Sequence, residues 1–231
     1  MWISDYIKRK HIASILDGLK IKNYTIRKDG TVDVDGNVSL HRRLGGARRF
    51  PVQFGKVTGS FDCSYNNLEF LQGAPEFVGG GFNCSNNYLC SLAWSPKIVG
   101  EHFECQGNSR VTTLVGGPIS VGSSYKCSHN SLMTLEGCPK KIPRYFWCNN
   151  NKLERLDFFP CHVGELIDLA SNPLVSLDGV PVELLDRVSC DNRDELIERS
   201  RLLEAAKYGS TKDIHGAIEA SYADTVTDID I

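Results

Sequence analysis

No run of apolar residues in this 231-residue chain reaches the length of a signal-peptide core or a membrane span. The opening stretch, MWISDYIKRKHIASIL, is amphipathic and is interrupted by KRKH. The chain is therefore expected to stay in the cytoplasm, with no membrane partner. A dominant charge is missing as well. The 26 Lys and Arg nearly balance the 28 Asp and Glu, for a net charge of −2, which removes a global electrostatic case for nucleic acid. No cysteines stand in a CxxC pair, and Cys161–His162 is the one adjacent Cys/His pair, so a metal centre of the usual paired-ligand kind is not expected. The histidines, His11, His41, His102, His129, His162 and His215, are scattered. His102 and Glu104 share a strand but have no nucleophile or metal partner. No catalytic set emerges, and the expectation is a non-enzyme without cofactor or metal.

What is present is repetition. A unit of roughly 21 residues begins at Phe61 as FDCSYNNLEFLQGAPEFVGG and returns from Phe82 as FNCSNNYLCSLAWSPKIVG. It returns from Phe103, Tyr125 and Phe146, and a last copy, IDLASNPLVSLDGVPVEL, starts at Ile167. The anchor position reads Cys63, Cys84, Cys105, Cys127, Cys148, Leu169, at spacings of 21, 21, 22, 21 and 21. A fixed period in this range marks a solenoid, in which each unit buries its face against its neighbours. The glycines recur with the unit, so they read as turn glycines rather than a phosphate loop.

Each unit opens with alternation. Phe61 and Cys63 point one way, Asp62 and Ser64 the other, as in a short strand with one buried face. Three residues after the anchor stands an asparagine: Asn66, Asn87, Asn108, Asn130, Asn151, Asn172. A buried amide there can donate and accept for the unpaired backbone of a turn, unit after unit. Leucines follow, then Pro75, Pro96, Pro118, Pro139, Pro160 and Pro181 on the return path. Proline cannot continue a helix or a central strand, so the outer face is expected to be extended or tightly turned.

This strand, asparagine turn and apolar ladder resemble the leucine-rich repeat. The short, proline-bearing unit is similar to that of secreted bacterial effectors. It resembles more closely the leucine-rich-repeat-like proteins of tailed bacteriophages, whose repeats read GxFxCSxNxLxxLxGxPxxVGG. The segment YTIRKDGTVDVDGNVSL with FPVQFGKVTGSFDCS resembles their N-terminal cap. The resemblance implies an α/β solenoid: short parallel strands on the concave face, a mostly extended or turned outer face, and helical caps. The boundaries read 1–59 for an N-terminal helix, hairpin and degenerate first repeat, 60–190 for the solenoid, and 191–231 for a helical C-terminal cap. The related effectors often carry a ubiquitin-ligase domain, but too few residues follow the repeats here.

Ile12, Ile15, Leu16 and Leu19 give the first helix its apolar spacing. Asp29–Gly30 marks a hairpin. After Cys190, DELIERSRLLEAAKYG reads as a helix ending at Gly209, and STKDIHGAIEASYA as another with Ser210 as N-cap. The pair resembles the helices of an ankyrin repeat, without its TPLHxA signature. The five anchor cysteines and Cys190 read as small buried hydrophobes in a ladder.

The outward strand residues define the candidate surface. One row is His41, Asp62, Asn83, Glu104, Lys126, Trp147, Asp168 and Ser189, and His102, Tyr145 and Leu166 lie on the flanking row. Trp147, Tyr145 and Leu166 together have the composition of an interface hot spot, unless the C-terminal helices fold over them. Lys126, Glu104 and His102 would form a polar rim, with Asp62 and Asp168 further along. A basic patch, Arg42, Arg43, Arg48 and Arg49, lies in HRRLGGARR. Residues 1–50 hold eleven Lys and Arg against five Asp and Glu, and 190–231 hold five against ten. The resulting expectation is a phage-encoded protein that docks a host or phage protein and inhibits or redirects it. The alternatives are a minor virion or assembly component, or a nucleic-acid-associated protein using the basic face. Nucleic acid is the weaker, because no aromatic interrupts the basic segment.

Overall fold

A two-residue strand that exposes one side and buries the other has no stability alone, so identical strands must stack. The computed structural model, which describes residues 2–208, is a β-solenoid of about eight turns. The eight anchor strands are Val38–Ser39, Phe61–Asp62, Phe82–Asn83, Phe103–Glu104, Tyr125–Lys126, Phe146–Trp147, Ile167–Asp168 and Val188–Ser189. They pair in parallel and in chain order into one sheet. Phe61 pairs with Phe82, Phe82 with Phe103, Phe103 with Tyr125, and Tyr125 with Phe146. Like residues therefore stack in columns.

The return path is more ordered than an extended or turned outer face. Phe54–Val57, Phe77–Val78, Ile98–Val99 and Ser120–Val121 pair in parallel, each with the next in chain order, and the hairpin of Tyr24–Ile26 and Val32–Val34 completes a six-stranded second sheet. Its inward residues Val57, Val78, Val99 and Val121 face the core. Lys141–Ile142 and His162–Val163 form a separate pair. The break has a cause in the sequence. Gly79, Gly100, Gly122 and Gly164 each donate an N–H to the strand one turn earlier. Pro143 stands at this position in its turn and has no N–H to give. At Gly100 and Gly122 glycine is required: a Cβ on Gly100 would strike the carbonyl oxygen of Gly79, and one on Gly122 that of Gly100.

The interior is layered. Phe61, Phe82, Phe103, Tyr125 and Phe146 are fully buried, as are Cys63, Cys84, Cys105, Cys127 and Cys148. All nine cysteines are free thiols. Burial pushes the thiols of Cys63, Cys84, Cys105 and Cys127 well above their usual range, so they stay protonated. Phe61 and Phe82 stack 5.6 Å apart at 14°, and Phe82 and Phe103 5.7 Å apart at 8°. The parallel stack ends at Tyr125, which meets Phe146 at 68°.

The asparagine column carries the turn. Asn87 Nδ2 donates to the carbonyls of Cys84 and Cys63, both at 3.1 Å, and its Oδ1 accepts from Leu68 N at 3.0 Å. Asn108, Asn151 and Asn172 repeat this pattern on Leu89, Leu132 and Leu153. The 22-residue unit holds its extra residue between Asn108 and Val111, and there Asn130 Oδ1 accepts instead from Asn108 N at 2.7 Å. Two residues after each anchor the backbone is left-handed. Arg42, Tyr65, Asn86, Gly107, His129, Asn150, Ser171 and Asn192 all have φ between 52° and 72°.

Helix α1, Trp2–Gly18, buries Ile12 and Leu16 and caps the first turn. At the other end a 3-10 turn, Val182–Arg187, replaces the second strand. Helix α2, Arg193–Tyr208, follows. Its Ser200 hydroxyl accepts from Leu177 N at 2.8 Å, and Leu196 is buried. Arg193 donates to the carbonyls of Val188 and Leu185. The second C-terminal helix read from the sequence at Ser210 lies outside the described residues.

The buried Tyr125 hydroxyl has no hydrogen-bond partner among the described residues, and an unpaired buried hydroxyl costs free energy. Tyr125→Phe, which restores the residue used in most turns, is expected to leave stability unchanged or raise it by about 1 kcal/mol. Denaturant unfolding checks this, and a clear loss would mean the hydroxyl is satisfied.

Candidate binding surface

Parallel pairing in register fixes which outward side chains meet. Asp62 lies beside Asn83, Asn83 beside Glu104, Glu104 beside Lys126, Lys126 beside Trp147, and Trp147 beside Asp168. At about 4.8 Å per step the row spans about 24 Å. His41 is not in it. Ser39 pairs with Asp62, because the first turn is longer than the repeat. His41 sits two residues on, its Nδ1 2.8 Å from Ser64 Oγ and 4.0 Å from Asp62.

The centre of the row is a linked set of side chains. Lys126 Nζ donates to Glu104 at 2.7 Å and lies 4.7 Å above the Trp147 ring. Charge and ring quadrupole attract at that distance. Trp147 meets Tyr145 at 5.8 Å and remains 37% exposed. Arg144 pairs with Glu165 at 2.7 Å and lies 5.2 Å from the Tyr145 ring. Its guanidinium holds the Glu165 carboxyl below the usual range, and the neighbouring Glu165 carboxylate pushes the Tyr145 hydroxyl up. Leu166, on the next strand's leading position, is exposed. A recess of about 370 Å³ is lined by Gln106, Lys126, Ser128, His129, Trp147, Asn149 and Asp168.

The remaining sequence candidates are tied more locally. Asp62 Oδ1 accepts from Ser64 N and Oγ at 2.9 and 2.6 Å, and Asp168 Oδ1 from Ala170 N at 3.1 Å. Both therefore brace their own turns. His102 occupies the space left by Gly81, where a Cβ would collide with its ring. The four arginines of the basic patch are dispersed. Arg48 pairs with Glu69, Arg42 lies 4.9 Å from the Tyr65 ring, and Arg43 donates to the carbonyls of Leu19 and Ser39. Arg49 is exposed.

Sequence reasoning missed a second surface. Trp94 and Phe158 are exposed aromatics with φ of 73° and 67°, at the turn where Gly73, Gly116, Gly137 and Gly179 stand in the other units. The signal was visible as LAWSP and LDFFP in a column otherwise reading LxGxP.

Among the described residues, no helix is long and apolar enough to cross a membrane, and no cluster of His, Cys, Asp and Glu is arranged to hold a metal ion. No family model, curated protein or solved structure matches the chain.

The Glu165 pairing can be read by pH. Its folded pKa is depressed, so the stability it adds is present above the ordinary carboxylate range and is lost as pH falls through the folded value. In Arg144→Ala the Glu165 midpoint, followed by carboxyl NMR, is expected to rise toward the usual value. An unmoved midpoint would show that Arg144 does not set it.

Proposed function

We propose that the chain is a non-enzymatic protein-binding module of leucine-rich-repeat-like type, encoded by a tailed bacteriophage. In this reading it acts in the host cytoplasm, where it docks a host or phage protein and inhibits or redirects it. Defence, transcription and replication factors are the partner classes. The observation that carries the reading is Trp147, 37% exposed and held between Lys126 and Tyr145 with Leu166 exposed nearby. A rigid, partly exposed aromatic loses little conformational entropy on binding, and such residues dominate interface energies. The row around it is preorganised by Glu104, Arg144 and Glu165. The dispersal of Arg42, Arg43 and Arg48 onto internal partners speaks against the basic segment as a phosphate-binding patch.

Affinity capture with the tagged chain from bacterial lysate at two salt concentrations tests this. One near-stoichiometric protein is expected to survive high salt and to be lost from Trp147→Ala/Tyr145→Ala, with the unfolding midpoint nearly unchanged. Capture that ignores the double substitution would refute the site. A drop of several degrees in melting temperature would place the rings in the fold's packing instead.

A further inference from the structure

The outward face of the second sheet is built differently from the anchor-strand face. Lys56, Phe77, Ile98 and Ser120 stack in register, and Lys141 pairs with His162. One position earlier stand Glu76, Lys97, Ile119 and Lys140. Ile98 is 46% exposed and Ile119 72%. Lys97, Lys140 and Lys141 are exposed and enter no ion pair among the described residues. Against these lysines the strands of this face and their leading residues offer two carboxylates, Glu76 and Asp33, and Asp33 is already paired with Arg27 at 2.7 Å.

At the corner leading into this face stand the two left-handed aromatics. A bulky side chain at positive φ is strained, and the other turns avoid the strain with glycine. Trp94 is 61% exposed and Phe158 54%, so neither recovers the cost by core burial. Trp94 also walls a groove of about 700 Å³ with Phe77, Lys97 and Ile98. Strain without a packing return points to a use on the surface.

We infer that this face is a second docking surface, and that its occupant is an acidic, amphipathic segment of a partner protein. Apolar side chains of the segment would meet Trp94, Ile98, Ile119 and Phe158, and its carboxylates Lys97, Lys140 and Lys141. Charge complementarity selects the acidic partner. The apolar content selects protein over single-stranded nucleic acid. Trp94 and Phe158 are three turns apart, about 14 Å at the strand spacing, which is too far for stacking successive bases, and glycines, Gly116 and Gly137, hold the two positions between them. This inference does not depend on Trp147.

The test is a selection of random displayed peptides against the full chain. Enriched peptides are expected to be acidic and amphipathic. Their affinity should fall at least tenfold in Trp94→Gly/Phe158→Gly and in Lys97→Glu/Lys140→Glu/Lys141→Glu, weaken with salt, and be unchanged in Trp147→Ala. Because glycine is the residue of the other turns, Trp94→Gly/Phe158→Gly is expected to melt at the same temperature or higher. Peptides without acidic bias, or equal binding to the glycine variant, would overturn the inference, as would a glycine variant that melts earlier. So would an oligo(dT) probe retained by the lysines in place of peptides, or self-association of the chain abolished by Trp94→Gly, which would give the face to a second copy.

Discussion

The six central turns of this solenoid depend on one side-chain amide that bridges two turns at once. An asparagine whose Nδ2 bonds its own anchor carbonyl and the one before it, and whose Oδ1 takes the N–H of the preceding leucine, satisfies three backbone groups in a sharp buried bend. Left unpaired, those groups would carry a desolvation cost of about 1–3 kcal/mol each. The bend has to fall at the same place in every turn for the amides to line up, and this fixes the register of both sheets. The insertion near Asn108 shows how firm the requirement is. The chain keeps the ladder by giving Asn130 a different donor rather than by breaking it.

Once register is fixed, the inward columns have little freedom. The aromatic and thiol columns fill a cross-section of constant size, and the glycine corner brings one turn's carbonyl against the next turn's Cα. Variation is therefore confined to outward rows and to turns that tolerate strain. The two surfaces with individual character lie there. One is the Glu104–Lys126–Trp147–Tyr145 series across the anchor strands, and the other is the lysine-bearing face of the return strands, flanked by Trp94 and Phe158.

Much of this was legible in the sequence. The anchor strands, the asparagine turn and the outward position of Trp147 follow from period and alternation, and the N-terminal hairpin from the Asp29–Gly30 turn signal. His41 was misplaced because the first turn has no anchor cysteine to count from, and an interval longer than the repeat shifts it two residues. The second sheet was hidden because its strands are two residues long, too short for alternation to show, and follow a proline that suggested a turn. The left-handed positions two residues after each anchor were hidden for another reason. Only some of them carry Asn or Gly, and Arg42, Tyr65, His129 and Ser171 adopt the same conformation under the control of the neighbouring turns.

The amide ladder is most directly tested by native-state hydrogen exchange at Leu68, Leu89, Leu132 and Leu153, whose N–H groups are donated to asparagine side chains. These amides are expected to exchange only through global unfolding, and Asn108→Ala to accelerate Leu89 ahead of Leu132. Rapid exchange at these four positions in the unaltered chain, or an Asn108→Ala effect spread evenly over them, would contradict the asparagine column as the constraint that sets the fold.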